Sequence, residues 1–415
     1  MPIQNTLRKI LLWITLVLIV GTLAGLASGL FLYSLEEAIL FREEFPIIIA
    51  LLPIGGLLIG YMYYRWGGVA VKGNNLIIEE YGKPKKKIPF RMAPMVLVGT
   101  LITHLFGGSA GREGTAVQMG ATLADQCTSW FKISPQQRKT LLMMGMSAGF
   151  SSLFGTPWAA FLFSFEILLH KKVHFKSIIP VVLASWTAYF VVELLPVHHT
   201  MYSIASIPAI NFQNIGYALL SGIPFGLAAA LFTFLTHFFG HNFKRFIKFP
   251  PLRPFLGGIV IALAVFFMGN TDYIGLGIPI ILDSFTGQVL ISMFLIKIIF
   301  TSFTLGAGFK GGEVTPLFFI GATLGSALSA WIPLPIGLMA GMGFVAVFAG
   351  ATHAPITCAV MGMELFGVEG SIFLALACFS AYIFSGLSGI YSEQIVTGPK
   401  RKFYTIVHKK IMHYF

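Results

Sequence analysis

The pentapeptide Gly111-Arg112-Glu113-Gly114-Thr115 returns as Gly311-Gly312-Glu313-Val314-Thr315, and each copy is followed by Gly-Ala-Thr-Leu, at 120–123 and at 321–324. The two glutamates stand 200 positions apart. Pro157 and Glu166 are nine residues apart, as are Pro355 and Glu364. Gly55-Gly56 precedes Gly73 by the same interval that separates Gly257-Gly258 from Gly275. Four landmarks in one order mean two related halves, about 10–200 and 215–395, so the fold must be built from two copies of one unit.

The landmarks interrupt apolar sequence. Hydrophobic residues make up 56% of the chain and charged residues 11%, against roughly 25% charged in soluble domains. This is the composition of a protein that crosses a membrane many times. Runs at 10–33, 141–169 and 215–239 are long enough to span. Those at 93–106 and 255–268 fall short of the about 20 residues a spanning helix needs. Short runs ending in Gly or Pro predict helices that stop partway through the membrane, which is tolerated only where protein or a water-filled cavity surrounds the exposed backbone. Duplicated halves with broken helices are the pattern of a secondary transporter whose site lies near the midplane. The expected fold is therefore an all-α polytopic membrane protein: two inverted-topology repeats whose broken helices meet at the midplane. One transmembrane domain covers 1–395, and 396–415 forms a short basic tail.

The formal net charge of +12 is concentrated in short segments: Arg8-Lys9, "KPKKK" at 83–87, Lys171-Lys172 with Lys176, "KRFIKFPPLR" at 244–253, and the tail. Such segments mark the cytoplasmic side and predict that both termini lie there. Charge scattered over loops in this way argues against nucleic-acid binding. The apolar stretch up to Tyr33 exceeds 20 residues and lacks a small-residue cleavage site, so it reads as an uncleaved first span. Cys127, Cys358 and Cys378 sit singly in apolar surroundings and read as packing residues. No metal-ligand cluster or phosphate loop is visible, and no cofactor is expected.

What the breaks can bind follows from helix electrostatics. A helix N-terminus carries free N–H groups and the positive end of the dipole, and it attracts anions. Three breaks read as such ends: Gly73-Asn74-Asn75, Gly111 to Thr115, and Gly312-Glu313-Val314-Thr315-Pro316. Thr315-Pro316 suits a cap followed by proline in the first turn. An ionised Glu113 is itself an anion and can fill a helix-terminus site, whereas a protonated Glu113 would leave it to another anion. Competition for one site would couple protons to anions. The plainer alternative is an Arg112–Glu113 pair capping a helix, although adjacent residues do not face each other on a helix.

These residues also carry a family resemblance. "GREGT" resembles the G-(R/K)-E-G-P motif of the CLC chloride channels and proton-coupled exchangers, "GGEVTP" resembles their G-x-F-x-P motif, and "SGLSGIY" at 385–391 resembles the segment with their anion-coordinating tyrosine, here Tyr391. The resemblance implies a homodimer in which each subunit has its own pore. Three departures stand out. Asn74 takes the place of the serine usual in chloride-selective members, Thr115 replaces the motif proline, and Glu313 and Thr315 stand where apolar or small residues are usual. Together they resemble the CLC-F branch of bacterial fluoride/proton antiporters, which implies the inner membrane of a bacterium. The exchangers' inner proton-transfer glutamate falls at Ile167, beside Glu166.

The resulting expectation is fluoride export in exchange for protons. Glu113 is the gate and proton acceptor, and Glu313 is a second proton site. Asn74, Asn75, Gly114, Thr115, Val314, Thr315 and Tyr391 form the anion path. The partners are fluoride or chloride, protons, membrane lipid and a second copy of the chain. Fluoride is small and strongly hydrated, so its path needs directed donors such as the Asn74 amide and the Thr315 and Tyr391 hydroxyls. Plainer roles stay open: a turn residue for Asn74 or Asn75, an N-cap for Thr315, an interfacial aromatic for Tyr391. Glu166 and Glu364 read as structural partners at helix ends, Glu193, His198 and His199 as loop residues, and His104 and His353 as packed histidines. The rival functions are a chloride exchanger or passive channel of the same fold and, from another class, an intramembrane serine protease. The protease reading rests on "GLSG" at 386–389 and "GMSAG" at 145–149. It needs a general base, and after Ser388 only His408 and His413 remain.

Overall fold

The computed structural model describes residues 2–168, 175–396 and 400–405, with side chains from residue 6 onward. Lys171, Lys172 and residues 397–399 and 406–415 of the basic tail, with His408 and His413, lie outside the described residues. Among those described, every named element is a helix. The first half comprises α1 (Pro2–Glu44), α2 (Leu52–Met62), α3 (Asn74–Gly82), α4 (Met92–Leu105), α5 (Glu113–Trp130), α6 (Pro135–Phe154), α7 (Pro157–Leu168) and α8 (Ile178–Glu193). The second comprises α9 (Phe212–Phe246), α10 (Leu252–Met268), α11 (Ile278–Thr286), α12 (Ser292–Ala307), α13 (Val314–Leu328), α14 (Ile336–Thr352), α15 (Pro355–Phe366) and α16 (Ser371–Phe384). Each half opens on its longest helix, and each has a nine-residue helix third (α3 and α11) and a twelve-residue helix seventh (α7 and α15).

Helix ends follow local chemistry. Ser134 caps α6 in a capping box with Gln137, with Pro135 in the first turn, where its missing N–H goes unmissed. The apolar run 141–169 is not one span. It divides at Gly155-Thr156-Pro157 into α6 and α7, because Gly155 takes the left-handed conformation and Pro157 cannot continue the preceding hydrogen-bond ladder. Among the described residues, four stretches are long and apolar enough to cross a membrane: Thr6–Glu44, Pro46–Gly82, Phe175–Glu193 and Phe212–Phe246. The second is itself interrupted, since Gly73 ahead of α3 has φ +56°, a conformation that residues with a Cβ adopt at a cost.

The helices pack as two compact units, and these do not divide at the repeat boundary. The first gathers residues 1–201, 236–277 and 299–316, and the second gathers 202–235, 278–298 and 317 onward. Within the first, α5 lies against α6 at such short range that a methyl group on Gly120 would stand 2.2 Å from the carbonyl oxygen of Gly145. Within the second, Gly321 of α13 has the same relation to Gly343 of α14, at 2.0 Å. The repeated Gly-Ala-Thr-Leu is thus a close-packing face, the small-residue solution used where lipid offers no hydrophobic drive to bring helices together. Stacked Phe318 and Phe344, with ring centroids 3.8 Å apart, continue that seam in the second unit.

A buried ion cluster locks the first unit at the far end of α3. Arg138 donates Nε and Nη2 to the two Asp125 oxygens at 2.6 and 2.7 Å, and Nη1 to Glu80 at 2.9 Å. Glu80 also accepts the backbone N–H groups of Lys85 and Lys86, and Asp125 accepts that of Ile88. The "KPKKK" loop is therefore tied down by carboxylates while Lys83, Lys85, Lys86 and Lys87 stay exposed. The same cluster fixes α3 to α5 and α6.

Candidate functional site

Three helix starts converge in the first unit. Residues 106–112 leave α4 without helical structure and are held by side chains around them. Ser109 Oγ donates to the Tyr273 carbonyl oxygen and is 2.8 Å from Thr301 Oγ1, and the Gly275 N–H donates to the Gly108 carbonyl oxygen. Gly111 and Gly312 then exchange two backbone hydrogen bonds of 2.6 Å in an isolated antiparallel bridge. This bridge brings the beginnings of α5 and α13 together. A methyl group on Gly114 would meet Asn74 Nδ2 at 3.2 Å, Gly312 Cα at 3.3 Å and Glu313 Oε2 at 3.7 Å. Gly114 is therefore the point where the starts of α3, α5 and α13 meet, and a side chain there would have to push its neighbours back by a few tenths of an ångström.

Glu113 occupies this junction. Its carboxylate is 1% exposed and sits on the N-terminus of α13 rather than that of its own helix. Oε2 accepts the Thr315 N–H at 3.0 Å and the Arg112 N–H at 3.0 Å. Oε1 accepts the Thr315 hydroxyl. The Arg112 guanidinium is a loose neighbour, with Nε 4.0 Å from Oε1, and Nε has no hydrogen-bond partner. The carboxylate thus meets a helix N-terminus, backbone N–H groups and a hydroxyl, donors of the kind that suit a negative charge. Beside it, Asn74 Oδ1 is buried without a hydrogen-bond partner, while its Nδ2 points at Gly114.

Among known proteins, the family described as "Voltage gated chloride channel" matches residues 55–386, from the first glycine pair to the loop after α16. The chain belongs to this CLC family. A Pseudomonas syringae pv. tomato protein named "Chloride/fluoride channel protein" is 48% identical over 394 residues, covering 94% of this chain and 87% of that protein. The crystal structure of a CLC-type fluoride/proton antiporter is 34% identical, with a TM-score of 0.90 over 94% of this chain and 99% of that one. A slow cyanobacterial Cl−/H+ antiporter, 19% identical, has the same fold at a TM-score of 0.80 over 92% and 96% of the two chains.

As a CLC protein, the chain brings most of its sequence-predicted site residues together. Glu113, Gly114, Asn74, Glu313, Val314 and Thr315 lie at or beside the junction, and Asn75 follows Asn74 in the first turn of α3. Thr115 is also buried, but its hydroxyl is 2.7 Å from that of Thr100 on α4, so it braces two helices against each other. Tyr391 belongs to the second unit, where it is buried at the end of the loop after α16. Ile167, at the position of the exchangers' inner glutamate, is buried and apolar. Ser388 is exposed and has no hydrogen bond to a histidine among the described residues. Ser147 lies inside α6 rather than on a sharp turn. His199 is more than a loop residue. It lies 3.2 Å from Glu193 and from the Ser152 carbonyl oxygen, closing over Gly155.

Sequence reasoning passed over two polar residues in the first unit. The Gln118 carboxamide lies against Gly73, at the foot of α3. Its signal is present in the chain, since it falls four residues after Gly114 and hence on the same face of α5. Lys310 holds its ammonium 4.2 Å from the centroid of the buried Tyr63 ring. A lysine three residues before an intramembrane glutamate is itself such a signal, because ionisable groups are rare at that depth.

Proposed function

We propose that this protein is a secondary active antiporter that exports fluoride in exchange for protons. The observation that carries the reading is the Glu113 carboxylate seated on the start of α13 by two donors from Thr315. Protonation removes its charge, weakens both bonds and frees those donors for an anion. Loss of the proton lets the carboxylate reclaim them. One site that holds either a carboxylate or an anion makes the two movements interdependent, and an inward proton gradient then drives the anion outward.

Selection of fluoride falls to directed donors around Gly114, the Asn74 amide in place of a serine hydroxyl and the Thr315 hydroxyl; Tyr391 is a further anion-path residue. Small anions with tight hydration shells exchange water for such groups more readily than for a roomy, weakly polar site. Glu313 is the second proton site, with Lys310 as a nearby counter-charge, since Ile167 has no proton to carry. The protein works as a homodimer in the bacterial inner membrane, surrounded by lipid, with both termini on the cytoplasmic side where its basic segments favour them. Support comes from the named relatives as well: one is called a fluoride/proton antiporter, the other a chloride/fluoride channel protein. The second name keeps chloride transport and passive conduction as the readings to test against.

The test is efflux from proteoliposomes followed with fluoride and chloride electrodes while external pH is recorded. Fluoride efflux with matching proton uptake and little chloride efflux is the expected result. Comparable chloride efflux would make the protein a chloride transporter, and fluoride flux without proton uptake would make it a channel.

A further inference from the structure

The second unit contains a buried lysine that the transport cycle above does not use. Lys400 is 3% exposed, and its ammonium is 2.9 Å from His353 Nδ1 and donates to Ser385 Oγ at 2.9 Å. It also lies 4.3 Å from the centroid of the Tyr382 ring. An ammonium only donates, so His353 Nδ1 accepts and Nε2 carries the ring proton. Among the described residues Lys400 makes no ion pair with a carboxylate. A buried cation held by a histidine, a hydroxyl and an aromatic face is expensive to desolvate, and its position shows what it organises.

Both hydrogen-bond partners of Lys400 border one loop. Ser385 is the residue at which α16 ends, and residues 386–391 run from it to Tyr391. His353 terminates α14 in the left-handed conformation, φ 56°. Its ring stands against Gly389, where an added methyl group would be 3.0 Å from Cδ2 and 3.1 Å from Nε2. The Ile390 N–H, next to Tyr391, donates to the carbonyl oxygen of Ala351, two residues before His353. Tyr404, four residues after Lys400 and so on the same helical face, grips the loop's other end. Its hydroxyl accepts the Gly386 N–H at 3.2 Å and donates to the Ile383 carbonyl oxygen at 2.9 Å.

We propose that Lys400, acting through His353 and Ser385 and assisted by Tyr404, latches the 386–391 loop and thereby sets the position of the Tyr391 hydroxyl in the anion path. Lys400 is a positioning residue. It lies nine residues beyond Tyr391 and reaches back to both ends of the segment that presents it. The inference rests on the reading of Tyr391 as an anion-path residue, and it adds the group that holds that tyrosine in place.

A double-mutant cycle on the reconstituted full chain tests this, with fluoride KM and maximal flux measured separately. Tyr391→Phe is expected to raise the fluoride KM. Lys400→Met is expected to raise it at least fivefold with maximal flux within twofold of wild type. The double variant is expected to lie within twofold of Tyr391→Phe alone, because a latch has nothing left to position once the hydroxyl is gone. Fully multiplicative effects would overturn the proposal, as would an unchanged KM in Lys400→Met. A silent Tyr391→Phe would overturn the role of Tyr391 itself, and the latch with it. If Lys400→Met does not fold, Tyr404→Phe and Ser385→Ala, each removing one hydroxyl, replace it in the same cycle under the same criteria.

Discussion

Glu113 and Thr315 lie 202 positions apart in the chain, and the carboxylate of one is held by both the backbone N–H and the hydroxyl of the other. Glu113, the proposed gate in the first repeat, is therefore bound by the helix start of the second. A hydrogen bond to a charged group contributes about 1.5–3 kcal/mol. Two such bonds are enough to keep an ionised carboxylate in place and weak enough to be lost once it is neutralised.

Replacing Glu113 by Gln imitates the protonated side chain and removes the titrating group. Proton uptake accompanying fluoride efflux should fall at least tenfold in proteoliposomes, while fluoride still moves. Paired pH and fluoride electrodes read both fluxes in one experiment, and undiminished proton uptake would place the coupling elsewhere.

Thr315→Val deletes the hydroxyl and keeps the backbone N–H, whereas Thr315→Ser keeps both donors. Losing one charge-assisted bond of about 1.5–3 kcal/mol corresponds to roughly a 10- to 100-fold change in an equilibrium. Fluoride flux should drop at least tenfold in the Val variant and stay within about threefold of wild type in the Ser variant. Equal losses in both would show that shape rather than the hydroxyl matters.

Asn74 tests selectivity. Its amide reaches Gly114 from the start of α3, and serine there would offer a shorter side chain with one donor. The fluoride-to-chloride flux ratio of Asn74→Ser should fall about tenfold, as expected for roughly 1.4 kcal/mol of lost discrimination. An unchanged ratio would move selectivity to other donors.

Arg138 tests the lock on α3. Arg138→Gln would strand Glu80 and Asp125 as buried carboxylates, a loss of about 3–5 kcal/mol for pairs of this kind. The melting temperature of the detergent-solubilised protein should drop by roughly 5 °C or more. Arg138→Lys should recover little of it, because one ammonium lacks the planar fork that spans both Asp125 oxygens. Full stability in either variant would show the cluster to be solvated.

The chain announces its helix starts openly. Gly73, Gly111 and Gly312 are followed by the first residues of α3, α5 and α13, because a broken helix in a membrane needs small or left-handed residues at the break and leaves them where periodicity stops. The repeat likewise exposes the close-packed seams at Gly120 and Gly321. Pairings across the fold were harder to read. Nothing local to Thr115 reveals that it would turn to Thr100, since that depends on how α4 crosses α5. The division of 141–169 at Gly155 was present in the sequence as Gly-Thr-Pro but was masked by the apolar residues on both sides. Lys400 was least legible of all. It reads as one more basic residue near the end of the chain, and only the folded path of residues 385–391 shows that it is buried.

The two-bond bridge between Gly111 and Gly312 has an ancestral reading. If the repeat arose by duplication of a shorter gene, the product of that gene had no internal counterpart for its break, and its glycine N–H and carbonyl groups could be satisfied only by a second, separately made copy. Fusion would place both partners on one polypeptide at equal concentration and would leave each half free to diverge, with Glu113 on one side and the Thr315 donors that hold it on the other. What the two halves could no longer change separately was the pair of glycines where their backbones meet.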